Sequence, residues 1–270
     1  MKMPSGHFCG IRLKSDLVSN FALIESLHLP NQRHSNHSHE RATLCLVLQG
    51  RFTETHGRNS LTCTPSTVLF YPAGETHAES FHNLRSRCFV IEIKPSWLER
   101  LDDLSALVDQ PADFHGGKAS GLAIRVYREF CALDAFSNLA IEGLLLELVA
   151  EISRGSRRIQ GQATPRIELA KELLHAHFRE PLTLAAIAEQ VGMHPVYLAQ
   201  AFRRAYDCTL GEYVRRLRIE FACGELSNPH NRISKIAAAA GFFDQSHFTR
   251  TFKQLLGITP TEFRKTFGKS

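Results

Sequence analysis

Residues 241–265 read GFFDQSHFTRTFKQLLGITPTEFRK, and their internal spacing is that of a short helix between two marked ends. Phe248, Phe252 and Leu255 recur at i, i+4 and i+7, one apolar stripe, which leaves Gln245, His247, Arg250 and Lys253 on the outer face. Asp244 stands at the N-cap and Gly257 at the C-terminal stop. Thr259-Pro260-Thr261-Glu262 then opens a further helix, with a capping box and Pro at its first position.

The layout occurs twice. Residues 183–215, TLAAIAEQVGMHPVYLAQAFRRAYDCTLGEYVR, place Ile187, Ala188 and Gly192 in register with Ile236, Ala237 and Gly241 at an offset of 49. Beyond the turn, Leu198, Phe202, Glu212 and Tyr213 match Phe248, Phe252, Glu262 and Phe263 at an offset of 50. Each copy is a short Ala-rich helix, a turn carrying Gly and a second amphipathic helix, which is the helix-turn-helix arrangement.

Over roughly Pro165 to Phe267 the chain resembles the AraC/XylS family of bacterial transcription regulators. The resemblance rests on Gly241-Phe242, Asp244, Ser246-His247-Phe248, Arg250, Phe252-Lys253, Gly257, Thr259-Pro260 and Phe263-Arg264. It implies a regulator that binds a double-stranded DNA operator, more often an activator, with RNA polymerase as a partner. It also implies an N-terminal domain that senses a small-molecule effector, and a homodimer. The spacing alone supports a tandem helical repeat, which a protein-only helical module would also show.

The resemblance places Val196, Ala199, Gln200 and Arg203 of the first copy at base-contacting positions, and Gln245, Ser246, His247, Arg250 and Lys253 are the candidate DNA-binding residues of the second. Gln200 can pair with adenine, while Val196 and Ala199 offer only apolar contact to a thymine methyl. Arg250 can engage guanine O6 and N7, so the second helix is expected to be the more polar reader. Arg203, Arg204, Arg215, Arg216 and Lys253 suit phosphate anchoring or a solvated surface. Thr209 to about Ser227 reads as one long helix joining the two units, and the resemblance implies reading helices about 34 Å apart in successive major-groove segments.

The first 94 residues carry strand signals. Runs at Ala42–Leu48, Leu61–Cys63, Val68–Tyr71 and Cys88–Ile93 are short, rich in β-branched or aromatic residues and bounded by turn formers. A small antiparallel barrel or sandwich is expected, and His37-Ser38-His39 with Pro72–His77 resemble the two cupin motifs. His37 and His39 are two apart, so a strand points both to one face, together with Thr43, Cys45 and Val47 if the alternation continues. His37, His39, Cys45 and His77 are therefore the candidate effector-binding residues. His37, His39 and His77 are also candidate ligands for a divalent metal, although the carboxylate that metal-binding cupins add is replaced by Thr43 or Leu44. The expectation is of polar groups that line an organic-ligand pocket or are simply satisfied barrel residues, with no cofactor. His34, His56 and His82 read as loop surface.

The expected fold is multidomain α+β. Residues 1–94 form a cupin-like β-barrel for effector sensing, and 95–153 a helical extension with helices at Ser96–Val108, Ala119–Leu133 and Leu139–Ser153. Residues 154–164 form a linker, and 165–270 an all-α DNA-binding domain whose first helix starts at Pro165, capped by Thr164. The stripe Ile141, Leu144, Leu145, Leu148 and Ile152 packs either on the barrel or across a dimer.

With 270 residues and 43% hydrophobic content, the chain can bury two cores. Residues 165–270 hold 15 Lys+Arg against 10 Asp+Glu, whereas 1–164 hold 17 of each, so the whole net charge of +5 lies in the helical part. Seven cysteines without a C-x-x-C pair suit reduced thiols. The apolar run LAIEGLLLELVAEI is broken by Glu142, Glu147 and Glu151, and the expected location is the cytoplasm, with no membrane partner. No nucleophile–base pairing or phosphate-binding Gly loop is found, so the chain is read as a non-enzyme; the alternative is a metal-dependent cupin enzyme fused to a DNA-binding domain.

Overall fold

Thr43–Gln49 (β5), TLCLVLQ, is apolar at successive positions because both faces of the strand are covered. The remaining strands are Lys2–Met3 (β1), Ile11–Val18 (β2), Phe21–His28 (β3), Arg33–His39 (β4), Phe52–His56 (β6), Asn59–Cys63 (β7), Thr67–Tyr71 (β8), Thr76–Phe81 (β9), Ser86–Ile93 (β10) and Ala112–His115 (β11). The computed structural model describes residues 2–57, 59–100, 110–158, 164–206 and 208–267.

Among these residues the strands form two sheets, ordered β1-β4-β9-β6-β7 and β11-β8-β5-β10-β3-β2, rather than one closed barrel. The sheets meet across Cys45, Val47, Leu69, Tyr71, Cys88 and Val90 of the larger and Phe52, Cys63 and Phe81 of the smaller. This is a jelly-roll type sandwich. Leu44, Leu46 and Leu48 point the other way, beneath Gly117–Cys131 (α2) and Ser137–Arg158 (α3). The alternation expected along β5 therefore holds, with apolar partners on both sides.

Between the sandwich and α2 lie Pro95–Glu99 (α1) and β11, the latter an edge strand within a stretch expected to be helical. The Ser96–Val108 helix is seen only as α1, and its continuation over 101–109 lies outside the described residues. Ile141, Leu145, Leu148 and Ile152 are fully buried inside the protomer, and Leu144 partly so. The expected linker start at 154 is still helical, since α3 runs to Arg158; residues 159–163 are outside the described set.

The helical domain contains Pro165–His177 (α4), Leu184–Gln190 (α5), Pro195–Tyr206 (α6), Leu210–Leu226 (α7), Ile233–Ala239 (α8), Gln245–Leu256 (α9) and Pro260–Phe267 (α10). Thr209 and Glu212 close a capping box on α7, and Thr259 and Glu262 make the same reciprocal bonds at α10. Thr164 makes no side-chain cap bond; its backbone carbonyl accepts from Ile167 and Glu168 instead.

The hydrophobic cores divide within α7. Leu210 and Leu217 close the first core with α4, α5 and α6. Ile219, Ala222, Cys223 and Leu226 belong to a second core, which also holds Phe248, Phe252, Leu256, Phe263 and Phe267 and runs on into α2, α3 and the outer face of the larger sheet. The second helix-turn-helix unit is thus packed on the sensor. Gly121 of α2 makes this contact close, since a Cβ there would lie 3.3 Å from the Leu255 carbonyl oxygen.

Candidate nucleic-acid interface and ligand pocket

Helices α6 and α9 share one design. Leu198 and Phe202 are fully buried on α6, and Phe248, Phe252 and Leu256 on α9. Leu256, not Leu255, completes the inward stripe, because Leu255 is only half-buried. Opposite that stripe Val196, Gln200 and Arg203 are exposed and Ala199 is half-buried, while Gln245, Ser246, His247, Arg250 and Lys253 are all exposed. Asp244 Oδ1 accepts the His247 amide at 2.6 Å, and Gly257 ends α9 at φ 75°, where a side chain would be strained.

Two exposed aromatics were not singled out from the sequence. Tyr197, at the start of α6, is 68% exposed, and Phe243, just before α9, is 95% exposed. The signal that finds them is an aromatic on the solvent phase of an amphipathic helix entry, where burial does not explain it. Arg218 was also missed, and its role is internal. Its guanidinium donates to the Phe178 carbonyl at 2.7 Å, the Gly241 carbonyl at 2.6 Å and the Glu180 carbonyl at 3.0 Å, which joins the end of α4 to the turn of the second unit.

Inside the sandwich, β4 and β9 pair with His37 opposite His77. His37, His39 and His77 are all buried, and one ligand nitrogen from each lies within 4.8 Å of the others. His37 Nδ1 is 2.9 Å from the Ser35 carbonyl, which can only accept, so Nδ1 carries a proton. His77 stacks on Tyr71 with centroids 4.2 Å apart, and its Nδ1 has no hydrogen-bond partner among the described residues. Burial lowers the pKa of His39 to about 4 and that of His77 to about 3, so both rings are neutral at pH 7.

Thr43 and Cys45 line the same cavity, as the alternation implies, together with Cys88 and Glu79. Its volume is only about 30 Å³. The expected spacing lacks a carboxylate; Glu79, two residues beyond His77 on β9, lines the same cavity and pairs with His34 at 2.7 Å. His34 and His56 are therefore not loop surface: they sit in β4 and β6, with His56 Nε2 3.0 Å from the fully buried Glu54. His82 bonds Thr53 at 3.0 Å.

A larger cavity of about 750 Å³ lies between the two domains, with Arg51, Thr64 and Arg85 on the sensor side and His175, Phe178 and Phe221 opposite. At its edge Thr64 Oγ1 donates to Glu220 Oε1 at 2.6 Å, and His115 Nδ1 of β11 lies 3.8 Å from the same oxygen.

A jelly-roll domain carrying a buried pocket, joined to tandem helix-turn-helix units with exposed polar outer faces, defines a two-domain, DNA-binding regulator. The chain belongs to the AraC family of transcription regulators. Residues 23–174 match the AraC-like ligand binding domain and residues 187–266 a helix-turn-helix domain. The regulatory protein SoxS of Salmonella typhimurium is 33% identical over 98 residues, 36% of this chain and 92% of that one. The transcriptional activator RhaR of Yersinia pestis is 23% identical over 257 residues, 89% of this chain and 88% of the relative. The Msm operon regulatory protein of Streptococcus mutans is 28% identical over 159 residues, and the match spans 57% of its length. Among solved structures, ToxT from Vibrio cholerae covers 93% of the chain at 13% identity with a TM-score of 0.42. Among the described residues, no helix is long and apolar enough to cross a membrane.

Proposed function

We propose that the protein reads two adjacent major-groove segments of an operator, one with α6 and one with α9, and activates transcription in response to a bound ligand. The observation that carries this reading is the paired design of the two helices, each with a buried apolar back and an exposed polar front. Activation is supported by a likeness over 89% and 88% of the chain to relatives named as transcriptional activators, and contact with RNA polymerase is proposed with it. The proposed division is a sandwich over 1–94, an extension from 95 that carries β11 and ends with α3 at Arg158, and a DNA-binding unit over 165–270. The sensing role is preferred to a catalytic one because a cavity of about 30 Å³ leaves no room for an organic substrate beside the histidines. An organic effector has that room in the interdomain cavity of about 750 Å³, within the about 300–1,000 Å³ usual for such ligands.

Selection of the full chain on a random duplex library, at one stated salt concentration, tests the DNA reading. Two enriched elements one helical turn apart support it. A single element, or no enrichment with or without added ligands, contradicts it.

The homodimer is supported by a second stripe on α3. Leu139, Gly143 and Leu146 recur at i, i+4 and i+7 on the face away from the buried stripe, with Leu139 76% and Leu146 43% exposed and Phe136 75% exposed beside them.

A further inference from the structure

We infer that Phe243 contacts the methyl group of a thymine in the operator and so sets base preference at one position beside the segment read by α9. The inference rests on the reading of α9 as a DNA-reading helix and adds an apolar contact that its polar face does not make.

Phe243 is the residue by which the two helix-turn-helix units differ in length. On the near side of the turns, the Met193 amide donates to the Ala188 carbonyl at 2.9 Å and the Phe242 amide to the Ala237 carbonyl at 3.0 Å, so Met193 corresponds to Phe242. On the far side, the Leu198 amide donates to the His194 carbonyl at 3.0 Å and the Phe248 amide to the Asp244 carbonyl at 3.1 Å, so His194 corresponds to Asp244. Met193 and His194 are adjacent, whereas one residue, Phe243, stands between Phe242 and Asp244.

The fold does not use this side chain. Phe242 is buried against Phe248 with ring centroids 5.2 Å apart, and Asp244 Oδ1 caps α9 through the His247 amide at 2.6 Å. Between these two anchors the Phe243 ring is 95% exposed and belongs to neither core of the helical domain. A ring held in water forgoes the free energy that its burial would release. Its backbone is already fixed on both sides, so a partner that covers it orders only the ring.

Position and chemistry together select the partner. A helix-turn-helix unit meets base edges with the first residues of its second helix, and Phe243 stands two residues before Gln245, the first of α9. Gln245, Ser246 and His247, all exposed beside it, suit phosphates and polar base edges. Phe243 has no donor for a phosphate, and the apolar feature of the major groove is the thymine methyl. The first unit has no residue at this place, which confines the contact to one of the two segments.

The test is a deoxyuridine scan of an operator selected with the full chain. Each thymine in turn is replaced by deoxyuridine, which removes the methyl and keeps the base pair, and binding is measured at one fixed salt concentration for wild type, Phe243→Ala and Phe243→Leu. Wild type should lose roughly threefold to fivefold in affinity at one thymine beside the α9 segment, as expected for about one buried methyl-sized group. Phe243→Ala should bind the unmodified operator more weakly and show no further loss at that thymine, with any response at thymines under α6 retained; Phe243→Leu should keep part of the response. Thermal unfolding of both variants should match wild type, since the ring is exposed. Affinity unchanged by Phe243→Ala, an operator without a thymine beside the α9 segment, or equal weakening on every duplex with the methyl response intact would overturn the contact. A selected operator whose guanines depend on Arg250 but whose scan is silent defeats this contact alone, whereas failure to select any operator defeats the DNA reading and the contact with it.

Discussion

Thr64 of the sandwich domain donates a 2.6 Å hydrogen bond to Glu220 of α7, the helix that joins the two DNA-reading units. His115 approaches the same carboxylate from β11, so a single acidic side chain takes contacts from two segments of the sensor domain.

Glu220→Gln should lower stability by about 1–3 kcal/mol, because it removes a charge-assisted acceptor and leaves His115 with weaker compensation. Gly121→Leu should act at the other end of the interface, where α2 approaches the Leu255 carbonyl too closely for a large side chain. Both variants should release the second helix-turn-helix unit to limited proteolysis while the sandwich stays resistant. Unchanged cleavage in both would show that the interdomain packing does not depend on these contacts.

The same cluster makes docking pH-dependent. Burial alone pushes the His115 ring down, but Asp113 and Glu220 more than reverse it and raise its pKa to about 9. Burial likewise opposes ionisation of Asp113 and Glu220, and His115 overrides it, so both carboxylates lie below their ordinary range. For His115 the stabilisation is complete below its unfolded value of about 6.5 and is lost as pH rises through about 9. For the carboxylates it is present above about 4 and lost as the solution becomes more acidic. His34, raised to about 9 despite its burial by Cys9 and Glu79, slopes the same way, so the comparison needed is wild type against Glu220→Gln. Thermal midpoints should fall less steeply from pH 6.5 to 9 in the variant; parallel curves would contradict the assignment.

Arg218 and Gly241 hold the two reading units in fixed relation. Arg218→Ala should cost about 2–3 kcal/mol through three lost charge-assisted bonds to carbonyls. Gly241→Ala should cost at least as much, since φ is +82° and the new Cβ would lie 2.4 Å from the Arg179 carbonyl oxygen. Chemical denaturation checks both, and a loss below about 0.5 kcal/mol in either would be that of an ordinary surface position.

For the dimer, Leu139→Asp combined with Leu146→Asp should give a monomer by sedimentation at micromolar concentration, with an unaltered circular dichroism spectrum. A dimer that survives both replacements places its interface elsewhere.

The helical half was legible because its signals are local. Caps at Asp244, Gly257, Thr209 and Thr259, and the spacing of Phe248 and Phe252, are each read within one or two helical turns. The sandwich was less so. Strands β2, β3, β6, β9 and β11 were not singled out, since their pairing joins residues as distant as His28 and Ser86. His37, His39 and His77 were legible from the cupin-like motifs, whereas Glu79 of β9, which lines the same cavity, was not singled out because only the strand pairing brings it there. The shared core of α2 and α9 had no local signature, because an apolar stripe does not state what covers it.

Arg250 carries the central claim most directly. Wild type and Arg250→Ala should be compared by methylation interference at guanine N7 on a selected operator, at fixed salt. Wild type should show two blocks of interference about 10 bp apart, and the variant should lose sensitivity at one guanine in one block while keeping the other block, with affinity reduced by about 1–3 kcal/mol. Uniform weakening of both blocks, with no base losing its influence, would make Arg250 a phosphate contact and contradict the reading of α9 as a base-specific helix.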